Sequence, residues 1–140
     1  MRTFEEIKDT VETGLGKHPC DLKLANVQLV NVWSSEIYPT DIYIRHGRVV
    51  SIDPQAGLEA LETVDCGGQY AVPGLIDTHM HFETTMLSPE ALASVVVPAG
   101  STTLCADLME IANVAGAAGL KAMLTSMDRL PYRMLIEVSS

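Results

Sequence analysis

Aromatic residues are scarce in this chain of 140 residues: two Phe, one Trp and four Tyr, 5% of the whole. A core must therefore rest on Val, Leu, Ile, Ala and Met. The apolar content of 47% permits one and excludes wholesale disorder. Basic residues are also few, 9 Lys and Arg against 18 Asp and Glu, for a net charge of -9. Phosphate backbones and anionic lipids repel such a surface, so neither nucleic acid nor a membrane is expected as partner. The acidity itself is ordinary surface charge. Cysteine is limited to Cys20, Cys66 and Cys105, an odd number at wide spacing with no CxxC. That argues against a disulfide framework or a structural zinc site, and for buried free thiols in a reducing compartment. No run reaches 18 apolar residues, and the first twenty residues carry acids without an apolar stretch. Neither a membrane span nor a secretory leader is expected, and the chain reads as cytoplasmic.

Three segments are expected. Residues 1–20 form an N-terminal helix and linker. Thr3-Phe4-Glu5-Glu6 has capping-box spacing, and Gly14 and Gly16 stop the helix. Residues 21–71 form a small β domain. Leu22 to Val32 is dense in branched apolar residues, and Asp41 to Arg45 alternates as a half-buried strand does. His46-Gly47 is the turn of a hairpin that returns through Arg48 to Ile52. A polar loop from Asp53 to Glu62 precedes short strands on either side of Gly67-Gly68.

Residues 72–140 change pattern. A strand from Leu75 to Phe82 follows Pro73-Gly74, and Ser88-Pro89-Glu90 opens a helix. A second strand covers Thr102 to Ala106, and a longer helix covers about Ile111 to Met127. A third strand starts near Tyr132. Strand-helix alternation of this kind predicts a parallel sheet with crossover helices.

The chemistry concentrates in Pro73-Gly74-Leu75-Ile76-Asp77-Thr78-His79-Met80-His81. Side chains two apart on a strand share a face, so Asp77, His79 and His81 point one way. The two imidazoles, about 7 Å apart along the strand, can converge on a cation at its C-terminal end. Asp77 reads either as a group orienting an imidazole or as a polar anchor. Glu83 continues the alternation towards the same end, and reads either as a substrate or supporting group or as an exposed loop acid. Asp107 and Glu110 have the spacing of a helix cap, with a pocket role for the pair at the strand-to-helix turn as the alternative. Gly116, Gly119, Met123 and Met127 read as helix packing. His18 and His46 lie in a helix tail and a hairpin turn, away from any ligand set.

The segment Pro73 to His81 resembles the amidohydrolase superfamily signature. Val30-Asn31-Val32, Asp41-Ile42-Tyr43-Ile44 and the stretch from Gly47 to Gly68 resemble its small N-terminal β domain. Glu83-Thr84-Thr85-Met86, Val97-Pro98-Ala99-Gly100-Ser101-Thr102-Thr103 and Ala106-Asp107-Leu108-Met109-Glu110-Ile111-Ala112-Asn113-Val114 resemble adenine deaminases more narrowly. The resemblance implies an α/β fold: a β-sandwich-like domain, then the first two to three strand-helix units of an incomplete metal-dependent (β/α)8 barrel. It implies His79 and His81 as metal ligands, and the placement of Asp77, Glu83 and Glu110 makes them the candidates for supporting or substrate-contacting groups. It further implies a binuclear centre of Mn2+ or Fe2+, a purine substrate in a salvage reaction, and deamination of adenine to hypoxanthine by metal-activated hydroxide. A homo-oligomer is compatible with it.

Two departures touch the substrate: Met109 and Ala99 stand where the family usually carries His. Met cannot act as a hard-cation ligand or proton carrier. No histidine follows His81, and a closed barrel takes about 250 residues. The chain is therefore expected to be a truncated piece, inactive alone, with the catalytic proton shuttle unassigned. The alternatives are another amidohydrolase, dihydroorotase-like or deacetylase-like, and a non-catalytic remnant.

Overall fold

The computed structural model describes residues 2–128 and 130–137. The outermost ends of the first and last expected segments, and Arg129, fall outside them. The fold is α/β and divides into two compact units, Met1–Pro73 and Gly74–Ser140.

The first unit opens with α1 (Phe4–Gly14). Thr3 Oγ1 accepts from the Glu6 amide, and a Glu6 carboxylate oxygen accepts from the Thr3 amide, so the capping box is complete. The helix ends at Gly14, with Gly16 in the left-handed region just beyond. Next come β1 (Cys20–Asn31), β2 (Glu36–Arg45), β3 (Arg48–Ser51), β4 (Ala60–Asp65) and β5 (Tyr70–Ala71). They form one sheet in the order β3-β2-β1-β4, with β5 also on β1. The β2–β3 hairpin turns at His46-Gly47, with φ of 49° and 65°, the doubly left-handed turn that matches strand twist. The expected loop from Asp53 to Glu62 is shorter than its polarity indicated. Ala60 already pairs with Cys20, because a parallel partner was in reach.

β4 and β5 follow the same edge of β1, parallel to it, and the turn between them faces a bulge. Asn26 sits in the bulge with φ of 57°. Its carbonyl accepts from the Gly68 amide, and its side-chain amide donates to Asp65. The Asn26 amide donates to Asp41. Asn tolerates the left-handed region because its short polar side chain bonds locally.

Tyr43 and Ile42 are both buried, so the sheet is covered on both faces there rather than half-buried as the alternation implied. Lys23 lies over the Tyr43 ring and pairs with Asp41. Cys20 is buried, whereas Cys66 and Cys105 are only partly so. The expectation of three buried thiols holds for the first alone.

The second unit runs β6 (Leu75–His81), a 3-10 turn (Glu83–Thr85), α2 (Pro89–Val96), β7 (Ser101–Asp107), α3 (Met109–Met127) and β8 (Arg133–Glu137). The three strands are parallel, in the order β6-β7-β8. Ser88 caps α2 by accepting from the Ala91 amide, and Pro89 takes the first helical position. The core holds Phe82, Leu92, Ala93, Leu104, Ala106, Leu108, Met127 and Tyr132, with Met80, Met134 and Ile136 packed against it. Met80, Leu104, Ala106, Met134 and Ile136 are the alternate strand positions on the helix-covered face. The other face carries His79, His81, Cys105, Asp107 and Glu137. Asp77 does not share it as the alternation implied, because the register slips between Asp77 and Met80 and sets Asp77 opposite Leu104.

Gly74 is needed for close approach. A Cβ there would overlap Thr102 Oγ1 and lie 2.6 Å and 2.8 Å from Thr102 Cγ2 and Cβ. Gly116 departs from its expected packing role. It kinks α3 with φ of 58° and ψ of -156°, a region essentially confined to glycine. Met123 and Met127 do pack on the core. No helix among the described residues is long and apolar enough to cross a membrane.

Candidate metal and active site

The C-terminal ends of three parallel strands place the polar groups together. His81 on β6 pairs in register with Asp107 on β7, and Asp107 pairs with Glu137 on β8. Open α/β sheets bind ligands outside the carboxyl ends of their strands.

His79 and His81 leave β6 on the same side. Their ring centroids are 5.4 Å apart and the planes cross at 89°. Each Nδ1 faces a carboxylate. His79 Nδ1 lies 2.9 Å from Glu137 Oε2, and His81 Nδ1 lies 3.4 Å from Glu110 Oε2. The first pair reaches across β7, two strand spacings or roughly 10 Å of sheet. An ionised carboxylate only accepts hydrogen bonds. A neutral ring bonded this way carries its proton on Nδ1 and leaves the Nε2 lone pair free. Asp77 does not reach either ring: its carboxylate accepts from the His79 amide at 3.1 Å, which anchors the strand backbone.

Glu110 and Glu83 exchange the places that spacing implied. The expected cap pair Asp107 and Glu110 does not form on α3, whose N-cap is Leu108 with no side-chain cap bond. Glu110 turns to His81. The carboxylate at the start of α3 comes from Glu83, whose Oε1 accepts from the Ile111 amide at 2.9 Å. Glu137 went unnoticed in the sequence. Its one visible signal is the alternation of Arg133, Leu135 and Glu137 along β8. The other histidines serve elsewhere: His46 Nε2 meets Asp9, and His18 lies near Glu12.

The two residues that depart from the expected histidines are far apart. Met109 opens α3, at the same strand end as His81, and is exposed. Ala99 lies in the turn before β7, at the opposite strand end, so roughly 20 Å of strand separates it from the histidines. Its departure leaves this site untouched.

Among the described residues, no group of three or more His, Cys, Asp and Glu is close enough to hold a metal ion. The histidine pair nonetheless fits two places in such a set. Imidazole nitrogens suit Mn, Fe and Zn, and ligating histidines characteristically give their second nitrogen to a carboxylate. A catalytic site takes about three protein ligands.

The amidohydrolase family profile matches residues 70–140, which include the parallel α/β unit and its paired histidines. The chain belongs to the amidohydrolase family. It is 46% identical over 134 residues to an adenine deaminase of Desulforamulus reducens, covering 96% of this chain and 23% of that protein. It is 41% identical to adenine deaminase 1 of Latilactobacillus sakei, covering 91% and 22%. With an adenine deaminase of Kosmotoga olearia the identity is 40%, covering 96% and 23%. The chain thus spans under a quarter of the length of these relatives.

Proposed function

We propose that this chain is the N-terminal portion of an adenine deaminase and carries the first two ligands of its metal centre. One observation carries the site assignment: both imidazoles of the His-x-His pair have a carboxylate at Nδ1, the arrangement that turns Nε2 to a cation. His79 and His81 hold the cation, which is Mn2+ or Fe2+ in a binuclear centre. Glu137 and Glu110 fix the tautomer and orientation of those rings. When bound, the metal supplies Lewis-acid activation of water for attack on the electron-poor carbon bearing the amino group of adenine. Asp77 holds the strand that presents the histidines.

The finer architecture follows the same reading. Residues 21–71 give one layer of a β-sandwich-like domain, and residues 72–140 begin a (β/α)8 barrel. The sequential parallel order β6-β7-β8 supports this, as does the placement of the core on one face of the sheet. The remaining ligands then lie on later strands. The named relatives favour adenine over other cyclic amides or amines, despite Met109 at the mouth of the site.

The test uses the protein at the relatives' full length, loaded with Mn2+. It should convert adenine to hypoxanthine with one ammonia released per turnover. His79→Asn and His81→Asn should each lose activity together with bound metal. The 140-residue chain alone should release no ammonia. A metal-loaded full-length protein that ignores adenine and hydrolyses another cyclic amide would overturn the substrate. Undiminished metal content in both histidine variants would overturn the ligand assignment.

A further inference from the structure

The start of α3 poses a packing question that Glu83 answers. The first amides of a helix have no partner within it, and the residue at the N-cap normally supplies one. Here that residue is Leu108, a buried side chain with no capping atom. The carboxylate arrives instead from 28 residues earlier, with Glu83 Oε1 on the Ile111 amide. Its other oxygen, Oε2, is buried without a protein hydrogen bond. Burying a carboxylate oxygen unsatisfied costs free energy, so this placement is not explained by the comfort of Glu83 alone.

The connections around it form a closed circuit. Glu83 follows His81 by two residues, in a turn that is stapled locally. Thr84 Oγ1 donates to the His81 carbonyl at 2.8 Å, Thr85 Oγ1 donates to the Phe82 carbonyl at 2.7 Å, and Phe82 is 1% exposed. From Glu83 the circuit crosses to Ile111, steps back one residue to Glu110, and returns from Glu110 to the His81 ring. A carboxylate at the positive end of α3 is also electrostatically favourable.

We propose that Glu83 is a positioning residue. By holding the first turn of α3 through the Ile111 amide, it sets Glu110 against His81 Nδ1, and so keeps the His81 Nε2 lone pair available. The role rests on the metal-ligand reading for its purpose, but its geometry can be tested without metal.

The metal-free test uses the 140-residue chain with 15N-labelled histidine at about pH 9, above the ordinary histidine range. Ring nitrogen shifts then report the tautomer, and the four histidines are assigned by single substitution. Native His81 should carry its proton on Nδ1. Glu110→Ala should move it towards the Nε2–H form that a histidine side chain without a partner favours. Glu83→Ala should shift it the same way, with no further change in the double variant. Glu83→Gln keeps an oxygen for the Ile111 amide and should restore the native signal. His79, held by Glu137, should stay unchanged throughout. If Glu83→Ala unfolds the chain, Glu83→Asp, one methylene short of the amide, should give the same His81 shift in a folded protein. A native His81 signal in Glu83→Ala or a folded Glu83→Asp would overturn the proposal, as would equal shifts at His79 and His81.

A second readout is Mn2+ affinity in the full-length protein, by chelator competition. Glu83→Ala should weaken it roughly 10-fold, the low end for an outer partner of a ligating histidine, and Glu83→Gln should restore it. Absence of Mn2+ binding in the unsubstituted protein would sink the functional reading while leaving the tautomer result standing.

Discussion

Gly74→Ala should loosen the strand that presents the two histidines. The glycine is not in a left-handed conformation, so alanine can adopt its backbone angles. The obstacle is Thr102 on the neighbouring strand. The new methyl would overlap Oγ1 and sit 2.6 Å from Cγ2 and 2.8 Å from Cβ, where carbon atoms rest at about 3.5–4 Å. Rotating Thr102 clears its outer atoms but not Cβ, so β6 must move away from β7. That movement strains the first rung of the ladder, where the Leu75 amide donates to the Gly100 carbonyl at 2.8 Å. Overpacking of this kind costs about 1–3 kcal/mol. Restricting the unfolded chain returns about 0.4–1 kcal/mol. The net loss is about 1–2 kcal/mol, and for a unit of this size roughly 5–15 °C in Tm. Thermal unfolding followed by far-UV circular dichroism measures it, and hydrogen exchange across residues 75–81 locates it. Thr102→Gly removes all three opposing atoms. In a double-mutant cycle it should recover most of the loss, with a coupling of about 1–2 kcal/mol. A Tm within one or two degrees of the parent, or strictly additive substitutions, would refute the packing argument.

Three further outcomes are expected. Asp9 has its pKa lowered chiefly by the hydrogen bond from Arg45, and Asp21 chiefly by the amide of His46, with Arg45 adding to it. Depressed folded values contribute stability above the ordinary aspartate range of about 3.9, and that contribution is lost as pH falls through the folded values. Arg45→Met should therefore flatten the dependence of Tm on pH below about pH 4, and an unchanged slope would count against the network. Glu137→Ala in the full-length protein should weaken Mn2+ binding about 10- to 100-fold in a chelator competition, and unaltered affinity would remove Glu137 from the site. Thr3→Ala deletes the side-chain half of the α1 capping box and should cost about 1 kcal/mol, read as faster amide exchange confined to the first turn of α1.

The site divides along the range of its interactions. His79 and His81 were legible because two residues on one strand share a face whatever the rest of the fold does. The caps at Thr3 and Ser88 and the turn at His46-Gly47 were legible for the same reason, since each is settled within four residues. The acids were read less well. Asp107 and Glu110 had cap spacing, but a carboxylate can satisfy a helix start or an imidazole equally well, and the choice depends on what else is near. Glu83 reached the helix start from another segment, which freed Glu110 for His81.

The sequence by itself determined the α/β alternation, the family resemblance and the paired histidines, because periodicity and local backbone geometry are properties of neighbours in the chain. Tertiary structure alone decided which carboxylate serves which ring. Glu137 lies 58 residues from His79 and meets it at 2.9 Å, because β6, β7 and β8 lie side by side. The same packing places Ala99 at the far end of the sheet and Met109 at the near end. The order of strands is a consequence of burying Leu104, Ala106 and Phe82 together, and no short-range pattern encodes which distant acid that burial will bring to the histidines.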